Sequence, residues 1–427
     1  MYELHEQIIS LVFLAAAIAI GCVMNKNMGV VSIGLSLVLG RLSGVSDKWI
    51  INSFNSSLFI MLLGVMLLFS IAQNNHTLEL LARRAVVLCR GKVQLIPIVL
   101  FVFSAVISAI GPGLISTTAL VASLAIALAI ETDVEPIKFV LFGAVGAFAG
   151  GLSPITPSGI VAITVAAEND IVGIEAAIGF GMFFVMLFCA VILYFFVFKW
   201  HTYKAEAKAP ETESAEEKPD DKFKLANVLT LIGIVVVAVL STVFSMNVGL
   251  VSFAVSVVLL LIGAANEGEA LKKIPWNTLV MITGVGMLIS VVTELGGIVL
   301  LSDIISKLMG AKTASAIITV LAGMMSWVSS ASGVVMPTLI PTVPGLVASV
   351  SGASAVDLVV GICIGSNAAA FSPLSSCGAL MLAAYSTSNV ATTEGRNKMF
   401  TRLFVFSSAC ILVSALIALT GFFGLFS

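Results

Sequence analysis

The chain has 427 residues, 59% of them hydrophobic and only 10% charged, with a mean hydropathy of +1.13 and a formal charge of −2. A water-soluble domain carries roughly 25% charged residues, so this composition excludes one, and the near-zero charge gives no basis for a nucleic-acid partner. Run after run exceeds the ~18 apolar residues that cross a bilayer, and none alternates in polarity as a membrane barrel strand would, which leaves helices as the spanning form.

Taken in chain order, spans are expected at about 7–24, 28–46 and 57–74. Met1 to Gln7 holds no basic region, so the first run reads as a membrane helix and not as a removed signal. His76 to Lys92 carries Arg83, Arg84 and Arg90, is too charged to cross, and is expected at the interface. Residues 93–130 are apolar but interrupted at Gly111-Pro112-Gly113; 136–166 are interrupted between Gly150 and Pro157; a further span covers 171–198. The stretch 199–226 is charged and contains Pro210 and Pro219, the signature of a solvated linker. Beyond it come spans at 227–245, 248–265 and 277–295, an interfacial stretch from Gly296 to Lys312, interrupted segments at 313–350 and 356–386, and a last span at 398–426. The six cysteines lie in or beside apolar runs without short paired spacing and read as small core residues.

This plan repeats. At an offset of 220, Asn27, Gly29, Val31 and Ser32 meet Asn247, Gly249, Val251 and Ser252, and Gly64 meets Gly284, with 12 identities in 23 aligned positions. Gly113 and Thr118 continue onto Gly333 and Thr338; after one lost residue, Ser153, Pro154 and Gly159 fall on Ser372, Pro373 and Gly378. The domains are therefore 1–198 and 227–427, joined by the linker. Two related apolar halves are the mark of a secondary transporter with its site between them. If 93–130 and 313–350 enter and leave on one side as re-entrant hairpins, each half has five spans and the repeats are inverted. With the linker cytoplasmic, this arrangement puts 17 of 21 Lys and Arg inside and leaves only Arg41, Lys48, Lys307 and Lys312 outside. The expected fold is all-α, with two inverted repeats of five transmembrane helices plus one re-entrant hairpin each, discontinuous helices, and both termini outside.

Four segments combine helix breakers with hydroxyls: Ser108–Thr118, Gly150–Gly159, Ser329–Thr338 and Ser366–Gly378. Non-helical backbone at membrane depth is tolerated only where protein buries it or water reaches it, so the four breaks should converge on one polar chamber. Helix starts there would offer free N–H groups and a positive dipole end to a carboxylate. On this reading Gly113, Ser116, Thr117, Thr118, Thr156, Ser158, Ser332, Gly333, Thr338, Ser375 and Ser376 contact an anionic substrate. Ser108, Gly111, Ser153, Ser329, Asn367 and Ser372, with free carbonyls nearby, would ligate sodium. Almost no titratable side chain lies deep in a span, which tilts the coupling ion from protons toward Na+, and no nucleophile–base pair points to an enzyme. Each single hydroxyl has an alternative role as a helix-packing or back-bonding group.

The order of helix pair, interfacial stretch, hairpin and broken helix, repeated, resembles the ion transporter superfamily that includes the divalent anion/sodium symporters. NMGVVSIGLSLVLG (27–40), LLGVMLLFSIAQNNHTLELLARRAV (62–86), RGKVQLIP (90–97), IGPG (110–113) and GGLSPITPSG (150–159) look more closely like the MatC-type malonate and dicarboxylate carriers, over about the first 165 residues. The resemblance implies uptake of a small dicarboxylate by cation symport, in a homodimer of a bacterial inner membrane, with an elevator movement of hairpins against a scaffold. This chain departs from the family's Ser-Asn-Thr hairpin tips; only Ser366-Asn367 keeps the pair, in the second broken helix. A carrier of another anion on the same fold, or a passive anion channel, are the alternative readings.

Overall fold

The computed structural model describes residues 4–24, 26–87, 92–198, 223–244, 246–388 and 390–426. Most of the linker and Cys89 lie outside these residues. Every regular element among the described residues is helical. The first half runs α1 (Leu4–Val23), α2 (Met28–Leu42), α3 (Asp47–Asn52), α4 (Ser56–Asn74), α5 (Thr77–Val87), α6 (Ile96–Ala109), α7 (Gly113–Glu131), α8 (Pro136–Gly150), α9 (Pro157–Ala167) and α10 (Glu175–Ile192). The second runs α11 (Leu225–Thr242), α12 (Val248–Leu261), α13 (Glu267–Lys273), α14 (Trp276–Glu294), α15 (Gly297–Ser306), α16 (Ala314–Ser326), a wide turn Ala331–Val335, α17 (Met336–Leu339), α18 (Val343–Ser349), α19 (Ala355–Ala368), α20 (Ser376–Ser386) and α21 (Thr393–Leu419).

Residues that coincide at the 220-residue offset do the same local work. Asn27 caps α2 by accepting from the Gly29 and Val30 N–H groups, and Asn247 caps α12 through Gly249 and Leu250. Gly44 and Gly263, at φ +74° and +73°, end those helices, with Val45 N–H returning to Gly40 O and Ala264 N–H to Leu259 O. These stops shorten two segments read from sequence as full spans. α2 and α12 hold 15 and 14 residues, about 22 Å of helix against a hydrocarbon core of about 30 Å. Eight helical segments among the described residues are long and apolar enough to cross a membrane, among them Gly113–Glu131 and Ala331–Ser349.

Two packing groups form. α2 lies on α14 and α4 on α12, while α6–α10 pack with α16–α21. In the first group the backbones touch. A β-carbon on Gly29 would stand 2.1 Å from Val280 O, and one on Gly64 2.2 Å from Gly249 O; Gly249 and Gly284 are equally confined by Met61 and Gly29. The Gly29–Gly284 and Gly64–Gly249 contacts exchange with one another under the 220-residue offset. Cys189 and Cys410, buried and 221 residues apart, bring their sulfurs within 3.8 Å of each other where α10 meets α21. Leu, Val and Phe side chains such as Val12, Phe188, Val235 and Leu416 face outward at 51–63% exposure, the inverse of a soluble surface and suited to lipid.

Candidate functional site

The interrupted segments owe their geometry to backbone chemistry. α6 stops at Ala109, and Ile110-Gly111-Pro112 turn the chain into α7, with Gly111 (φ +140°) pressed against the Phe69 ring where a β-carbon would clash at 2.0 Å. Between α8 and α9, Thr156 Oγ1 stands 2.8 Å from Gly151 O and 2.7 Å from Ser153 O, to which it donates, and accepts from Gly159 N–H at 3.1 Å. Between α19 and α20, Ser375 Oγ reaches Ala370 O at 2.7 Å and Ser372 O at 2.8 Å in the same way. Before the Ala331–Val335 turn, Ser329 Oγ donates to Met325 O at 2.5 Å and Ser330 Oγ accepts from Gly333 N–H at 3.1 Å. In the hairpin that follows, Pro337, Pro341 and Pro344 break the backbone ladder into short pieces.

These segments meet at a small chamber lined by Leu114 and Ile115 of α7, Ser158 of α9, Ser329, Ser330 and Ser332, Asn367 of α19, and Ser375 to Cys377. Two larger spaces flank it. One, of about 560 Å³, shares Leu114, Ile115, Ser158 and Ser332 with the chamber and runs past Gly111, Gly113, Ser116, Ser70 and Gln73 to Lys273 and Thr278. The other, of about 1250 Å³, shares Ser329, Ser330, Ser375 and Ser376 and extends to Lys26, Asn27, Asn277 and Thr278. Asn367 is fully buried; its Nδ2 donates to Cys363 O at 2.7 Å, while its Oδ1 has no partner. A buried acceptor left empty costs about 1–3 kcal/mol, so the group calls for a partner, such as a water or an ion in the chamber.

Of the residues singled out from sequence, Gly111, Gly113, Ser116, Ser158, Ser329, Ser332, Asn367, Ser375 and Ser376 line these connected spaces. The others sit elsewhere. Thr117 and Thr118 are buried on α7 and Ser108 on α6. Thr156 spends its hydroxyl on its own loop. Thr338 back-bonds to Val334 O at 2.7 Å, and Gly333 packs against Met281. Ser372 Oγ donates to Trp327 O at 2.9 Å, tying the second break to the hairpin. Ser153 faces an apolar groove beside Phe180 and Ala149. The lysines Lys26 and Lys273, with Gln73, Asn277 and Thr278, are additions that sequence reading missed. They flank the ends of spans, where a basic or amide residue reads only as an interfacial anchor.

Among the described residues, an all-helical, multi-pass architecture whose interrupted helices meet at a serine-lined chamber is the fold of a membrane transporter. Residues 4–151 match the family model described as the dicarboxylate carrier protein MatC N-terminus, about a third of the chain, in keeping with the resemblance carried by the motifs of the first half. Over 98% of both chains, the structure is similar to the crystal structure of the Alcanivorax borkumensis YdaH transporter, with a TM-score of 0.58 at 12% sequence identity, a likeness of fold. No curated protein matches the chain.

Proposed function

We propose that this protein is a secondary active transporter that takes up a small dicarboxylate, malonate or a four-carbon dianion, together with Na+. The observation that carries this reading is the chamber itself. Helix first turns from both halves and serine hydroxyls surround it, none of the described residues that line it is charged, and one fully buried acceptor among them, Asn367 Oδ1, is unpaired. Helix starts and hydroxyls hold a carboxylate without a buried cation of the protein's own, and an amide oxygen beside hydroxyl oxygens suits a hard cation. The match of residues 4–151 to the MatC N-terminus supports the substrate class and a carrier over an enzyme.

The inverted arrangement belongs to the same proposal. Contacts that swap under the 220-residue offset, Gly29 with Gly284 and Gly64 with Gly249, are those of a two-fold relation between halves. If the short α2 and α12 cross as tilted or thinned-membrane segments, so that each half has five spans, and each hairpin re-enters, that axis lies in the membrane plane. Both flanking spaces reach lysines, Lys26 and Lys273, on the side that the basic-residue bias makes cytoplasmic, so this conformation faces inward. Movement of the α6–α10 and α16–α21 group against the α2, α4, α12 and α14 group would carry the chamber across as an elevator. The homodimer and inner-membrane setting implied by the resemblance complete the reading.

Uptake of labelled malonate and succinate into proteoliposomes, with and without an inward sodium gradient, tests it. Accumulation that needs the gradient is the expected result. Conductance of the anion without coupling would make the protein a channel, and no uptake of either acid would end the substrate assignment.

A further inference from the structure

We infer that a carboxylate of the transported anion docks between the first turns of α7 and α20, and that the repeat-related pair of helix starts, each with one N–H already taken by a side-chain cap, is the poorer donor pair. The inference rests on the carrier reading above and sharpens it to one carboxylate subsite where the repeat would allow two.

Under the repeat, the start of α7 corresponds to the Ala331–Val335 turn (Gly113 with Gly333), and the start of α20 to that of α9 (Ser376 with Pro157). The chamber is therefore bordered by two related pairs, and they differ in what their N–H groups are doing. Thr156 caps α9 through Gly159 N–H, and Pro157 at its first position brings no N–H at all. Ser330 caps the opposite turn through Gly333 N–H. On the other pair, neither α7 nor α20 has a side-chain cap. These two helices, 19 and 11 residues long, pack on each other, and their first turns line the same chamber at Leu114, Ile115, Ser376 and Cys377. The leading N–H groups of a helix have no partner within it, so the donors left for a ligand are concentrated on one side.

Asn367 supplies the independent observation. Its Oδ1 is wholly buried, lines the same chamber, and is unpaired. Donors from two helix starts facing one lone acceptor call for a ligand that is negative toward the helices and positive toward the amide. A carboxylate accompanied by its cation has that polarity; a neutral solute or an unaccompanied dianion does not.

The test uses the purified full-length protein and malonate as probe, in sodium chloride, read by thermal stabilisation and by uptake. Ser376→Pro gives α20 the first residue that α9 already carries, so it folds, but it removes one N–H and one hydroxyl. It should raise the malonate Kd by roughly tenfold or more, the worth of a hydrogen bond to a charged group. Ser376→Asp should stabilise α20 through its dipole and still abolish malonate binding, which keeps the test decisive if the proline variant misfolds. Thr156→Ala, whose hydroxyl bonds only its own loop and helix start, should lower Tm through the lost cap with Kd unchanged. Wild-type binding with Ser376→Pro and Ser376→Asp as tight as wild type would overturn the subsite alone. A wild-type protein that malonate and succinate neither stabilise nor follow into vesicles would overturn the carrier reading and the subsite with it.

Discussion

Asn367 is where single-residue chemistry says most. Because its Oδ1 is buried without a partner and its Nδ2 donates only to Cys363 O of its own helix, replacing it should cost the fold little, while removing an oxygen the coupling ion needs. Asn367→Ala is expected to leave Tm within a few degrees of wild type and to raise the half-saturating sodium concentration for uptake about tenfold or more. A large loss of Tm with unchanged sodium dependence would assign Asn367 to packing instead. The hydroxyl clusters were visible in the sequence, but not which members face the chamber. Successive helical residues point about 100° apart, so Ser116 reaches the cavity while its neighbours Thr117 and Thr118 turn into the packing of α7. Thr156 shows the same limit: a hydroxyl at a helix start is as ready to cap its own helix, as it does here through Gly159 N–H, as to hold a ligand.

At the scale of elements, the glycine contacts between α2 and α14 and between α4 and α12 bind the halves together. Gly29→Leu would drive a side chain into the Val280 carbonyl and should destabilise by about 3 kcal/mol, seen as a lower Tm and aggregation on size-exclusion chromatography. Gly34→Leu, on the same helix with nothing within 4 Å, should do neither. Helix breaks at Gly111-Pro112 and around Pro154–Pro157 were legible because proline and glycine act locally. The early ends of α2 and α12 were not, since the apolar run continues past Leu42 and Leu261 and only a left-handed Gly44 or Gly263 stops each helix. The pieces of the second hairpin were hidden likewise, in the spacing of Pro337, Pro341 and Pro344 within one apolar stretch.

For the whole molecule, the helical membrane class was plain from composition, and the likeness to the MatC N-terminus from motifs confined to the first half. Orientation gives a direct prediction. Lys26→Cys and Lys273→Cys, at the outer reaches of the two flanking spaces, should react with a membrane-impermeant maleimide in inside-out vesicles and not in intact cells. Labelling from outside would reverse the proposed topology. A second whole-molecule property is pH response. Burial works to raise the Glu135 carboxyl, but hydrogen bonds and charge from Arg402 (2.5 Å) and Lys398 (3.2 Å) outweigh it and hold the group below its ordinary range. A depressed carboxylate adds stability that is full at neutral pH and fades as acid protonates it. The Tm difference between wild type and Glu135→Gln should therefore be present at pH 7 and shrink below about pH 4, and since the group is a third exposed it should correspond to no more than about 1 kcal/mol.

The crossed glycine seams carry a consequence for how the chain is assembled. Each half offers the other two backbone surfaces so closely matched that recognition between them does not depend on the peptide that joins them. Cut within 199–226 and expressed as two polypeptides, the protein should reconstitute in the membrane as a heterodimer that co-purifies and transports, and Gly29→Leu in the first fragment should abolish that reunion.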